Sequence, residues 1–165
     1  YKKGDRVVVL PAGIETTISK LEISGEEVEE IFAPQSATIL LEHDIDISRG
    51  DSIVKTDNLP QTNNELEVLL CWMDEKPLIA GNKYYLQHNC HLVKSVVKSV
   101  EYKLDVNSLQ QQQIDGIVKL NEVVKAIIKT AYPLVFDKYA DLRVNGSAIL
   151  IDETSNNTVA AILFQ

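Results

Sequence analysis

One stretch limits what this chain can fold into more than any other. It runs Ile45-Asp46-Ile47-Ser48-Arg49-Gly50-Asp51-Ser52-Ile53-Val54-Lys55 and passes into Thr56-Asp57-Asn58-Leu59-Pro60-Gln61-Thr62-Asn63-Asn64. Ile45, Ile47, Ile53 and Val54 bracket a polar Ser-Arg-Gly-Asp tip, where Gly50 permits a positive φ that would strain any other residue. The segment therefore reads as the last strand of one unit followed by a polar linker. A chain of 165 residues accommodates one domain or two small ones, and the linker favours two.

Strand signals dominate on both sides. Arg6 to Leu10 is β-branched and is closed by Pro11-Ala12-Gly13, which predicts a strand and a hairpin. Ile14, Thr16 and Ile18 share one face, and Leu21 and Ile23 continue the pattern after a slip that predicts a bulge. Glu26 to Phe32 reads as an exposed strand and loop halted by Ala33-Pro34, and Ser36 to Glu42 as a buried strand. The first unit thus has about five strands. Beyond the linker, Glu65 to Met73, Tyr84 to Asn89, and the pair Ala148 to Asp152 and Thr158 to Phe164 all read as strands. The last two are joined by the polar Glu153 to Asn157 turn.

Two segments fit more than one period. Leu92, Val93, Val96, Val97 and Val100 suit a helix, whereas Val96, Val100, Tyr102 and Leu104 suit a strand interrupted by Lys98, and the β-branched content favours the strand. Ile117, Leu120, Val124, Ile127 and Ile128 suit a helix as well as a weakly alternating strand. Gln110 to Gln113 is a short polar tract expected on a surface loop, and Asn145-Gly146 is expected to be the turn of a long loop from Tyr139 to Ser147.

Composition narrows the function classes. The net charge of −8, from 24 acidic residues against 16 Lys plus Arg, opposes general attraction to nucleic acid or anionic membranes. No apolar run approaches the roughly 20 residues of a membrane-spanning helix. Two cysteines, Cys71 and Cys90, are too few for the disulfide framework of a small secreted protein, so a reducing cytoplasm is expected. The chain opens on Tyr1 in a strand-like run, as a cut fragment would.

Candidate chemical groups are sparse. His88, Cys90 and His91 with Cys71 carry zinc-type ligands, but strand geometry puts His88 and Cys90 on one face and His91 on the other. Asp44, Asp46 and Asp51 lack the spacing of a calcium loop. Glu26-Glu27 and Glu29-Glu30 form an exposed acidic run, not a pair held at different pKa values by burial. Arg49-Gly50-Asp51 and the sequons at Asn145 and Asn156 carry little information without a secretory signal. The expectation is no catalytic, cofactor-binding or metal-binding residue. No Gly-x-x-x-x-Gly-Lys-Ser/Thr loop occurs to cradle phosphates.

Several runs resemble a known family. Glu30 to Ala33, Ser36 to Glu42 and Asp44 to Asp51 are similar to the end of the second domain of translation-factor-type GTPases, and above all to the large GTP-binding subunits of bacterial sulfate adenylyltransferases. Trp72 to Leu78, Leu104 to Leu109 and Ala148 to Asp152 resemble the third domain of the same family, in the same order. Pro34 departs from a common glycine, and Ala160-Ala161 occupy a place where glycines are frequent.

The resemblance implies an all-β fold of two consecutive small antiparallel β-barrels, the first truncated at its N-terminus. Residues 1–57 would be the later part of the second domain, 58–63 the linker and 64–165 the third domain. It also draws Ile117 to Ile128 toward strand. GTP and magnesium would belong to a nucleotide domain upstream, and the partners would be that domain and the small catalytic subunit. Nucleic acid and membrane are not expected, and self-association is expected through the open first barrel. The implied function is a non-catalytic module of a GTP-coupled sulfate adenylyltransferase. The alternative is a tRNA- or protein-binding barrel of a translation elongation factor, and a third possibility is an independent adhesion domain.

Overall fold

A computed structural model describes all 165 residues. The chain forms strands and turns without a helix: β1 Arg6–Leu10, β2 Ile14–Ile23, β3 Glu26–Val28, β4 Thr38–Leu41, β5 Ser52–Lys55, β6 Gln61–Trp72 and β7 Leu78–Ile79. The rest are β8 Lys83–His88, β9 His91–Leu104, β10 Gln111–Gln112, β11 Ile117–Val118, β12 Val123–Phe136, β13 Ser147–Ile151 and β14 Thr158–Phe164. Two compact units contain them, Tyr1–Pro60 and Gln61–Gln165.

In the first unit, β2 is shared. Its first half pairs antiparallel with β1, and its second half with β3 and β4, with a register break between Ile18 and Lys20 where the sequence slip predicts a bulge. β5 pairs with β1 alone, so the sheet stays open. Val7, Ile18, Leu21 and Ile31 form its core. Tyr1 packs beside them, and its hydroxyl donates to the Ile53 carbonyl at 2.7 Å.

Two expectations need correction here. β4 is only half-buried, with Leu40 turned to solvent, because it borders β2 alone and has no layer over its outer face. Ile45 and Ile47 lie outside any strand, so the closing strand is only Ser52–Lys55. The tip between them is a turn. Ser48 N donates to Asp51 Oδ2 at 2.9 Å, Asp51 N donates to Ser48 O at 3.0 Å, and Gly50 takes φ of 105°.

The second unit is a closed antiparallel barrel. Six strands run in the order β9-β12-β6-β14-β13-β8, and β8 pairs with β9 to complete the circuit. Alternation does the work along each strand, since successive side chains point to opposite faces. Leu66, Val68, Leu70 and Trp72 of β6 fill the interior, as do Leu86 of β8, Val97 of β9, Val124, Ala126 and Ile128 of β12, and Ile162 and Phe164 of β14. Trp72 is 1% exposed, donates from Nε1 to the Lys76 carbonyl at 2.9 Å and meets Tyr84 edge-on at 5.7 Å.

The strand reading of Leu92 to Leu104 holds, but its inward face is the odd one. Val93, Ser95 and Val97 point in. Register breaks opposite Ile127/Ile128 and Lys125/Ala126 then leave Lys98 and Glu101 unpaired with β12. Each extra residue flips the parity, so Val100 packs on the core after Lys98. Ile117 to Ile128 is also strand, interrupted by a turn, with Ile117 and Leu120 exposed. The glutamine tract is exposed, and two of its residues form the edge strand β10 against β9.

Candidate functional site

The metal-type residues are not brought together. Cys71 lies half-buried on β6 and Cys90 is exposed in the β8–β9 turn. β6 and β8 are separated by β14 and β13 in the barrel. His88 is 2% exposed, and its Nε2 sits 3.1 Å from the Asn145 carbonyl. A carbonyl only accepts, so the neutral ring carries its proton on Nε2. Around it, Asn89 Nδ2 donates to Asn145 Oδ1 at 2.8 Å and Asn145 Nδ2 donates to Asp137 Oδ2 at 2.9 Å. His88 also meets Phe164 edge-on at 5.3 Å. It is a clamp that ties the 137–146 loop to the β8–β9 turn.

Burial holds the His88 pKa below the usual histidine range, outweighing the opposing hydrogen bond to Asn145. The unfolded chain, with an ordinary value near 6.5, therefore binds a proton first as pH falls. Stability is fully present above that value and is lost as pH drops through the window between the unfolded and folded pKa values. Urea midpoints at pH 7.5 and pH 5 should fall toward acid, and His88→Asn should flatten that part of the fall. An equal acid loss in the variant would assign it to the carboxylates.

The carboxylates serve turns and surface pairs. Asp152 Oδ1 accepts from the amides of Thr154 and Ser155 at 3.0 and 2.7 Å, and these bonds hold its carboxyl below the ordinary range. Asp105 does the same for Asn107 and Ser108. Glu27 of the acidic run pairs with Lys3 at 2.9 Å. Asp44, Asp46 and Asp51 lie along the loop before β5, where Asp51 closes the tip turn.

What the second unit does offer is an outer face. Ile149, Ala161, Cys71 and Val123 stand in one register row across β13, β14, β6 and β12. The neighbouring row is Ser147, Leu163, Leu69 and Lys125. All eight are half-buried, so the barrel wall presents a mainly apolar patch at its centre. At Leu69 and Leu163 it borders a cavity of about 760 Å³ whose lining also includes the polar Asn63, Glu65, Glu67 and Lys138. Sequence reasoning missed the patch, since its residues alternate with the core residues of the same strands and differ from them only by parity.

Residues 65–163 match the model of the GTP-eEF1A C-terminal domain-like family. The chain is 36% identical over 159 residues to sulfate adenylyltransferase subunit 1 of Bacteroides fragilis (strain YCH46), covering 96% of this chain and 33% of that protein. It is 39% identical over 161 residues to the bifunctional enzyme CysN/CysC of Mycobacterium tuberculosis (strain ATCC 25618 / H37Rv), covering 97% of this chain and 26% of the relative. The chain thus spans about a third or less of the length of these relatives. Among solved structures, sup35 complexed with GDP matches with a TM-score of 0.86 at 15% identity, over 99% of this chain and 40% of that one. Apo translation elongation factor SelB from Methanococcus maripaludis matches with a TM-score of 0.75 at 17% identity, over 100% of this chain and 36% of that one. At such identities the structures speak for the fold alone.

Proposed function

Because this chain belongs, through residues 65–163, to the GTP-eEF1A C-terminal domain-like family, we propose that it is the non-catalytic β-barrel part of a sulfate adenylyltransferase large subunit. The observation that carries this is the 36% to 39% identity to such proteins over 96% to 97% of the chain, against 15% to 17% for the translation factors of the same fold. In this assignment residues 1–57 are the later part of a second domain and 64–165 a third domain. The parent protein activates sulfate in the cytoplasm, making adenosine 5'-phosphosulfate and pyrophosphate from ATP and sulfate at the expense of GTP.

GTP and magnesium do not fit the residues of this chain, which offers no glycine-rich loop of amides for phosphates and no cluster of carboxylates for the ion. A nucleotide domain elsewhere in the parent protein would hold them. The work left to the barrels is mechanical, passing a change of nucleotide state to the small catalytic subunit, which must bind one state more tightly than the other. The apolar outer row through Cys71 is suited to such a contact. The unpaired edge of β5 is suited to strand addition by a second copy.

Pyrophosphate release from ATP and sulfate, by the intact reading frame with its small-subunit partner, is expected to rise several-fold on adding GTP. Two folded proteins that show no GTP stimulation would overturn the assignment and favour a translation-factor role, for which salt-dependent tRNA binding is the readout.

A further inference from the structure

Most lysines on the outer face of β9 and β12 are neutralised. Lys98 pairs with Glu65 at 2.9 Å, Lys103 with Glu122 at 2.6 Å, and Lys125 with Glu67 at 3.1 Å and Glu101 at 3.4 Å. At one end the pattern breaks. Lys83 of β8 and Lys129 of β12 both stand opposite Val96 of β9, and Lys94 lies two residues before Val96 on the same outer face. None of the three has a carboxylate partner among the ion pairs of the protein.

These lysines line an open cleft of about 440 Å³ together with Ser95, Val96, Thr130, Ala131 and one carboxylate, Glu153, which pairs with none of them. Neighbouring strands are about 4.8 Å apart, so Lys83 and Lys129 are separated by roughly 10 Å across Val96. Three ammonium groups against one carboxylate around Val96 and Ala131, in a chain of net charge −8, form a local field opposite to that of the whole molecule.

We propose that this cleft docks an acidic, extended segment of a protein partner, with carboxylates between Lys83, Lys94 and Lys129 and an uncharged side chain over Val96. Alternate side chains of an extended peptide are about 7 Å apart, which suits ammonium groups spread over this span. A small oxyanion is less well served. The Ser95 hydroxyl already donates to the Tyr84 carbonyl at 3.0 Å and the Thr130 hydroxyl to the Tyr132 carbonyl at 2.7 Å, leaving no hydroxyl to enclose a small ion. Single-stranded nucleic acid is disfavoured too, because the cleft has no aromatic side chain on which bases stack. The proposal does not rest on the sulfate-activating assignment.

The test uses the full chain and three fluorescein-labelled probes: a peptide alternating Glu and Thr, its Gln and Thr counterpart, and an oligouridylate of equal charge. Anisotropy is read at low and high salt. The acidic peptide is expected to bind at low salt, and the Lys83→Gln, Lys94→Gln, Lys129→Gln triple variant to weaken it about tenfold, as three exposed charge pairs allow. Lys76→Gln with Lys138→Gln, two unpaired lysines outside the cleft, should leave affinity within about twofold. Far-UV circular dichroism checks that both variants keep the fold. Overturning outcomes are no binding of the acidic peptide, equal binding of the neutral peptide, equal weakening in the control variant, or tighter binding of the oligouridylate through the same three lysines.

Discussion

Phe164→Ala should destabilise the barrel by about 4 kcal/mol, within the range of roughly 3–5 kcal/mol for emptying a buried aromatic site. Phe164 is fully buried and touches two other rings, Phe136 at 4.6 Å and His88 at 5.3 Å. Its backbone is committed as well, since its amide donates to the Gly146 carbonyl at 2.9 Å and its carbonyl accepts from the Tyr139 amide at 2.9 Å. The neighbours held by those bonds cannot close freely over the void, so most of the cavity cost remains. The measurement is convenient because Trp72 is the only tryptophan and lies in the same core. Urea unfolding followed by its fluorescence reports the second unit directly. A loss under about 1 kcal/mol would mean that the site collapses around the smaller side chain and that the three-ring packing is not what holds this end of the barrel.

Gly146→Ala is expected to cost about 3 kcal/mol, at the upper end for overpacking, and for a reason unlike that of most glycines. Gly146 has no positive φ; its place is set by space. A methyl group there would sit 2.6 Å from Tyr139 N and 2.8 Å from Leu142 O, and closer still to Tyr139 Cα. These are backbone atoms, and the loop carrying them is pinned by the bonds to Phe164 and Asn145. Gly81→Ala makes the control. It has φ of 94° and nothing within 4 Å of an added methyl, so its cost is the conformational one alone, about 1 kcal/mol. Thermal or urea unfolding of the two variants side by side should rank them in that order. The reverse order would show that the 137–146 loop moves aside.

The contrast between these glycines shows what a single sequence can display. Gly50 and Asn145-Gly146 both look like turn signals. Only Gly50 acts through its backbone freedom, because the other requirement arises from Tyr139 coming to rest against it, which no local pattern encodes. The same limit explains β9. Its strand character follows from Val and Tyr content, but the side that faces inward depends on the unpaired Lys98 and Glu101, and those are fixed by β12 more than twenty residues further on. His88 carries a metal-type ring that the sequence reads as an ordinary barrel residue, and no local pattern names its partner, the carbonyl of Asn145, 3.1 Å away across 57 residues. The lysine cleft is equally hidden. Lys83, Lys94 and Lys129 become neighbours only when register is known.

The all-β architecture, by contrast, was legible along most of the chain. The alternation of Glu65 to Val68 running into the continuous apolar stretch to Met73, the hairpin around Pro11 to Gly13 and the polar turn at Glu153 to Asn157 each point to a strand or a turn without outside help. Where two periods competed, as at Ile117 to Ile128, the family resemblance chose correctly and the residues alone did not.

β6 sits between β12 and β14, and its pairing with β14 spans the longest stretch of chain in the barrel. Both of its edges are therefore satisfied only by chain made much later. At a synthesis rate of about 5–20 residues per second, the wait between the emergence of β6 and that of β14 is on the order of 5 to 20 seconds. During that interval on the ribosome, a strand rich in leucine and valine has no native neighbour on one side. That interval is when the strand is open to wrong pairing, and slower translation late in the message would lengthen its exposure.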